Sequence, residues 1–417
     1  MFQFIKTTIL LLFISLSTFG QIQEEIIPPF NIKTISFVKG NQNVVPLFEL
    51  GETFSLEFDD LYGNEANYYY QFVHCDYDWK KSQLSRNEYL RGFDDLRVLE
   101  YENSFNTLQM YSHYRLSFPN KNTGFLVTGN YIIKILNEDK EVVFSRKFIL
   151  YENIVSVPIL VKKSSTVANI EYMQNLEFTV RSPNFNFLNA IDNVKVLIFK
   201  NGEINSGITN LKPMYTLGTD MVYKYQRETE FWGGNEYLYF DNSDIRYANN
   251  FIARVNQDTE LYTSRLYTND ARANKSYTYF PDDNGNFKPN ALDVEFPSIA
   301  ADYAWVDFSL SAPAYFGKDD VYIVGMFNNY KLTEENKMEF DQKTGLYHKM
   351  MLIKQGFTNY EYVIANKNGK IDHKNAVDGN FFFTDNNYFI MVYYRDVNRL
   401  YDRVVGKGFA NSRTTID

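Results

Sequence analysis

His74-Cys75-Asp76-Tyr77-Asp78-Trp79 is the stretch of this 417-residue chain that looks most like a reaction centre. On a strand, His74, Asp76 and Asp78 would face one way and Cys75, Tyr77 and Trp79 the other. An imidazole and two carboxylates on one face can ligate a metal ion. No second His or Cys stands at ligand spacing, however, so the expectation is that Cys75 and Trp79 belong to a core and the polar trio bonds to backbone and loops. Asp282, Asn284 and Asn286 mimic the start of a calcium loop, but Phe287 occupies the position that needs Gly and Asp293 the one that needs Glu. A turn is expected there. His113, His348 and His373 are scattered, with no Ser or Cys nucleophile signature beside them and no glycine-rich phosphate loop anywhere. The expectation is therefore a chain that is not an enzyme, with no catalytic residues, no metal ligands and no cofactor.

The elements that would position these residues are strands. Phe (36), Tyr (33) and Trp (3) make up 17% of the chain, and aromatic and β-branched side chains suit a pleated, half-buried surface. Tyr131-Ile132-Ile133-Lys134-Ile135-Leu136 and Val142 to Ile149 predict two strands around a polar connection. Val194 to Lys200 runs into Asn201-Gly202, a dipeptide that supplies the positive φ angles of a hairpin turn, and Asn368-Gly369 repeats the device. The best short helical candidate is Ser82 to Leu90. With Cys75 as the only cysteine, no internal disulfide can staple the chain, so it must fold by hydrophobic burial.

The address is expected to be outside the cytoplasm. Lys6 precedes an apolar run through Ile9, Leu10, Leu11, Leu12, Phe13, Ile14 and Leu16, and small residues precede Gln21, so residues 1–20 predict a cleaved signal peptide. No cysteine stands at the cleavage region, which predicts a soluble product that is not a lipoprotein. A formal charge of −9 argues against nucleic acid as partner. Turn-rich seams near residue 152 and at Pro281 to Pro289 divide the rest into three sandwich-sized pieces: 27–151, 152–296 and 297–405, with a tail at 406–417.

The third piece carries Asp320 to Tyr330 with its Gly325-Met326-Phe327-Asn328-Asn329 turn, then Gly345-Leu346-Tyr347 and Gln355 to Tyr362. It resembles the early-set sandwich of family 48 carbohydrate-binding modules. In sugar-binding members a Trp stacks on glucose where Tyr330 stands here, and no second Trp follows Asn368-Gly369.

The whole chain resembles a further family. Tyr70 to Trp79, Ser82, Leu84, Glu88-Tyr89-Leu90, Gly92-Phe93, Ser104-Phe105-Asn106-Thr107, Tyr111-Ser112-His113-Tyr114 and Phe118-Pro119-Asn120 are similar to the first domain of type IX secretion system plug proteins of Bacteroidota. Gly233-Gly234-Asn235-Glu236 and Phe240-Asp241 match its middle region. Ala301-Asp302-Tyr303, Gly379-Asn380-Phe381, Thr384, Val392-Tyr393-Tyr394-Arg395 and Arg399-Leu400-Tyr401-Asp402 match its end. The resemblance implies an all-β chain of three immunoglobulin-like or early-set sandwiches. It also implies a non-enzymatic periplasmic protein whose partner is the giant outer-membrane translocon barrel, which it would bind and occlude at the periplasmic opening between cargoes. The alternative, from the third piece, is a periplasmic array that binds glycans. The face that meets a partner is not assigned by either resemblance.

Overall fold

The computed structural model describes residues 21–257, 260–315 and 317–414; the signal-peptide expectation for residues 1–20 lies outside them. The first domain is a two-layer sandwich. One sheet orders Gln42–Asn43, Ile32–Lys39, Phe54–Asp60, Ser112–Phe118 and Glu100–Asn103; the other orders Leu47–Glu49, Val142–Tyr151, Gly129–Leu136, Tyr69–Cys75 and Leu96–Arg97. The strands expected around 131–149 pair in register from Gly129↔Leu150 to Leu136↔Val142. Alternation turns Phe54, Leu56 and Phe58 of one sheet toward Tyr70, Phe72, Phe144 and Phe148 of the other. Phe48 and Phe54 stack at 3.9 Å and Phe58 on Tyr114 at 5.0 Å, so the core holds offset and edge-on ring pairs. The helix expected within 82–90 is one turn, Arg86–Tyr89, entered where the Ser85 backbone N–H donates to Glu88 Oε2 at 2.7 Å.

Downstream the sheets divide the chain differently from the expected boundaries at 296 and 405. Val194–Lys200 does turn at Asn201-Gly202 through positive φ angles, but its neighbour along all seven residues is Asn387–Tyr394, which in turn pairs with Arg403–Asn411. These three strands cover a sheet made of Ile159–Lys163, Met173–Val180, Asp220–Tyr223 and Tyr215–Leu217, with Glu230–Trp232 alongside. The second domain is thus 153–235 closed by 385–414, and the expected tail at 406–417 includes most of Arg403–Asn411, the edge strand of the closing sheet. The third domain, 236–384, is inserted into it. One layer contains Ile252–Asn256, Thr263–Leu266, Tyr303–Ser311, Leu346–Lys354 and Glu339–Asp341; the other, Leu238–Asp241, Gly356–Ala365, Phe287–Pro289 and Asp320–Val324. The turn-rich seam at Pro281–Pro289 is an internal loop of that domain, and Phe287–Pro289 pairs with Gly356 to Thr358.

The physical reason lies in the faces of the closing sheet. Val194, Val196, Ile198, Tyr388, Ile390, Val392 and Tyr394 fill the second core. Leu197, Phe199, Met391, Tyr393 and Val404, on the other face, pack on Leu47, Cys75, Tyr77, Trp79, Ile132 and Ile149 of the first domain. Both faces are buried, so Asn387–Tyr394 is a near-continuous apolar run, and leaving either face in water would forgo about 25 cal/mol for each Å² of apolar surface.

Candidate functional site

The stretch that looked most like a reaction centre is a joint. The strand stops at Cys75, and Asp76 to Trp79 form a turn in which Trp79 takes φ 60°, so His74, Asp76 and Asp78 do not share a strand face. His74 points into the first domain, its Nδ1 2.7 Å from Ser82 Oγ and its Nε2 3.2 Å from the Thr128 carbonyl. Burial pulls its pKa down to about 4, keeping the ring neutral at pH 7. Gly129 makes room for it: a Cβ there would lie 2.2 Å from Nε2. Cys75 is buried on the opposite face, and burial pushes its thiol up to about 12, which disarms it as a nucleophile. Asp76 and Asp402 share Arg395, at 2.8 Å from Asp76 Oδ1 and 2.9 Å from Asp402 Oδ1. The Tyr77 N–H donates to Asp402 at 3.0 Å, and its hydroxyl donates to the Val196 carbonyl at 2.7 Å. Tyr393 OH reaches Asn130 Oδ1 at 2.7 Å. The first and second domains are locked here by an apolar plate rimmed with charge-assisted hydrogen bonds.

A second joint ties the first domain to the third. Asp59, fully buried, accepts from Lys354 Nζ (2.6 Å), from Tyr303 OH (2.6 Å) and from His113 Nδ1 (2.7 Å). Burial opposes the carboxylate, but the Lys354 and His113 charges outweigh it and hold the Asp59 pKa below the ordinary range. Asp302 accepts the backbone N–H groups of Leu108 (2.6 Å) and Gln109 (3.0 Å), and Tyr111 OH donates to the Ala301 carbonyl at 2.8 Å. A third joint sits where the chain enters and leaves the inserted domain. A Cβ on Gly233 would lie 2.1 Å from the Phe381 carbonyl, so only glycine lets the two crossings touch. The Gly234 carbonyl accepts from the Phe381 N–H and Thr384 Oγ1, both at 2.8 Å, and Asn235 Nδ2 donates to the Asp378 carbonyl at 2.8 Å.

Glu25 joins all three domains. Its carboxylate accepts the Lys147 N–H (2.9 Å) from the first, Asn205 Nδ2 (3.2 Å) from the second, and Asn329 Nδ2 (2.9 Å) and Lys331 Nζ (3.2 Å) from the third. Only 3% of its side chain is exposed.

The remaining sequence candidates take structural places. Asp282 accepts the Tyr237 N–H and, at 2.7 Å, the Asn284 N–H, while Asn286 Nδ2 donates to the Asn43 carbonyl at 3.3 Å, so the calcium-like run is the expected turn. Tyr330 lines the space between domains, its hydroxyl 3.3 Å from the Asn201 carbonyl, and not an exposed sugar platform. His113 is bound at the second joint, His348 lies on the strand Leu346–Lys354, and His373 lends its carbonyl to Asn380 Nδ2 at 2.8 Å. Among the described residues no three His, Cys, Asp or Glu side chains converge for a metal.

Residues 32–152 match the family described as the type 9 secretion system plug protein 1st domain. The first domain belongs to the type IX secretion plug family. This assignment gives the chain a connection to type IX secretion, and the matched span coincides with the first sandwich. The plug-family domain supplies Asp59, Cys75, Tyr77, Trp79, Tyr111 and His113 to the joints. The fold recurs over nearly the full length in a crystal structure of a protein from Parabacteroides merdae, 29% identical, which covers 94% of this chain and 100% of that chain with a TM-score of 0.88. No curated protein matches the chain. Among the described residues, no helix is long and apolar enough to cross a membrane.

Sequence reasoning found Tyr111, His113, Asp302 and Tyr303 only as parts of motifs. It missed Asp59, Lys354 and Glu25, which carry no local signal: each is a single charge whose partners lie far away along the chain.

Proposed function

We propose that this protein is a periplasmic plug that binds the periplasmic opening of the type IX outer-membrane translocon barrel and occludes it while no cargo passes. The observation that carries the reading is that the plug-family domain is pinned to the rest of the chain at every junction. Asp59–Lys354, Arg395 with Asp76 and Asp402, and Gly233 against Phe381 fasten each domain to a neighbour through buried contacts. A body that blocks a pore wide enough for folded cargo must resist deformation, and buried interdomain contacts supply that resistance. The motifs carrying the family likeness serve these joints, and the role needs no catalysis. Export through a cleaved signal peptide at residues 1–20 belongs to the same proposal.

Affinity purification through a tag after Asp417, from solubilised outer membranes, tests it. A very large barrel should co-purify, and deletion of the gene should raise envelope permeability to large antibiotics with cargo secretion largely kept. Lost secretion with a tight envelope would instead make the protein a working part of the transport step. Retention of polysaccharide with no barrel would favour glycan binding.

A further inference from the structure

The three domains do not close completely where they meet. Two adjoining cavities, of about 470 and 270 Å³, lie between the first domain, the Gly202 to Ser206 turn and the third domain, and Ile35, Arg146, Phe287 and Lys331 line both. The larger falls within the range of small-molecule sites, about 300 to 1,000 Å³, and the smaller just below it. The smaller chamber is walled mostly by apolar groups, among them Ile27, Ile35, Phe287, Phe327, Met351 and Ile353.

Among the described residues, the charges lining these cavities are paired except for Arg146 and Glu203, and the Glu203 carboxylate, in the larger cavity, accepts from Ser206 Oγ at 3.2 Å. Lys33 is bound to Glu335, Lys331 to Glu25 at 3.2 Å, Lys354 to Asp59 at 2.6 Å and Lys147 to Glu24 at 3.8 Å. Arg146, at the neck, has no carboxylate of the described residues within ion-pair distance. Its hydrogen bond is from Nη1 to the carbonyl of Ser145, at 2.9 Å, and its guanidinium stands 5.6 Å from the Phe144 ring centre. Glu25 is the acid whose field reaches it, but that carboxylate is already engaged by Lys147 N–H, Asn205, Asn329 and Lys331. Arg146 is half-buried, and a guanidinium has five N–H donors in a planar fork that fits a carboxylate, so its face toward the cavities can take up an anion.

We propose that this neck binds a small amphipathic anion, an acyl carboxylate, with its headgroup on Arg146 and its chain in the smaller chamber. The carboxylate supplies the missing counter-charge and the acyl chain displaces water from the apolar wall. Ile27, on the exposed segment before the first strand, forms one side of the chamber. The bound molecule would touch the first and third domains at once and tighten their seam. This proposal is independent of the translocon reading and stands or falls by ligand binding alone.

The test is calorimetry and thermal melting of purified residues 21–417 with decanoate, methyl decanoate and inorganic phosphate. Decanoate should bind saturably at one site and raise the melting temperature with concentration, whereas methyl decanoate and phosphate should do neither. Arg146→Gln should weaken decanoate at least about tenfold, as expected for a lost charge-assisted bidentate contact. Without ligand this variant should melt somewhat lower than wild type, because the Arg146 charge helps hold buried Glu25 ionised, so binding is read from the ligand-dependent rise in melting temperature and from calorimetry. Ile27→Glu alters an exposed residue and should also weaken decanoate by placing a like charge at the chamber wall. Equal binding by wild type and Arg146→Gln, equal binding of the methyl ester, or no saturable binding up to about 1 mM would each overturn the proposal. Phosphate binding as tightly as decanoate would overturn the acyl part and leave an inorganic anion site.

Discussion

Lys354 Nζ stands 2.6 Å from Asp59 Oδ2 across the seam between the first and third domains, and neither side chain is more than 3% exposed. Removing one partner strands the other charge, which typically costs about 3–5 kcal/mol. Lys354→Met and Asp59→Asn should each destabilise strongly in chemical denaturation. The double variant should lose clearly less than the sum of the two. Additive losses would mean that Asp59 is held mainly by Tyr303 and His113.

The two buried histidines should give pH dependences of opposite sign. His74 has a folded pKa near 4 against an ordinary 6.5, so the unfolded chain takes up a proton that the native ring refuses. Its contribution falls as pH drops below about 6.5. For His113 burial opposes the charge, but hydrogen bonds to Asp59 and Glu57 outweigh burial and the Lys354 charge, and its pKa is raised. Its stabilisation is full below 6.5 and fades as pH rises through the folded-state value. Melting curves across pH for His74→Gln and His113→Gln should flatten the acid limb and the neutral-to-alkaline limb respectively.

Trp79 is buried, but in the plate between the first two domains and on a turn, not within a strand of the first core. Its carbonyl accepts the Gln23 N–H at 2.9 Å, and Lys147 Nζ lies 4.6 Å from its ring centre. Trp79→Ala should cost about 3–5 kcal/mol. Because the loss falls on a joint, calorimetry should show the single melting transition broadening or splitting. A uniformly shifted single transition would place the loss inside one domain.

Glu25→Gln removes a carboxylate that four donors share. Each charge-assisted hydrogen bond contributes about 1.5–3 kcal/mol, and the neutral amide retains part of that by still accepting through its oxygen. The variant should melt lower, and limited proteolysis should cut residues 21–31 sooner than in wild type. Unchanged protection would mean that the bridge of Ile26 to Ser145 holds the segment by itself.

The strands were legible because their alternation is local: 131–136 and 142–149 sit where Tyr, Ile, Val and Phe recur at every second position. The order of domains was not. A sequence cut falls where turns cluster, and Pro281–Pro289 is richer in turn residues than either true crossing, Gly233-Gly234 or Asn380 to Thr384. The strand at 387–394 carries no label saying that its partner lies almost two hundred residues earlier. Trp79 was legible as buried from its alternation with Cys75 and Tyr77, whereas its backbone turn depends on where Asp76 finds Arg395 and Asp402. The joints were visible only as motif residues without a chemical task.

The insertion of the third domain also fixes an order of events in time. As the chain emerges from its N-terminus, the first sandwich has all its strands by residue 151, but the face bearing Cys75 and Trp79 has nothing to lie on. The second domain waits longer, since the strands Asn387–Tyr394 and Arg403–Asn411 that finish its inner layer come last. For most of its synthesis the polypeptide therefore carries two open apolar faces, the state in which nascent chains aggregate or call on holding chaperones. A stop codon before residue 387 would remove Asn387–Tyr394 and Arg403–Asn411 and uncover much of both faces, so a truncation of about 7% of the chain's length should send it to proteolysis and not to a shortened working form.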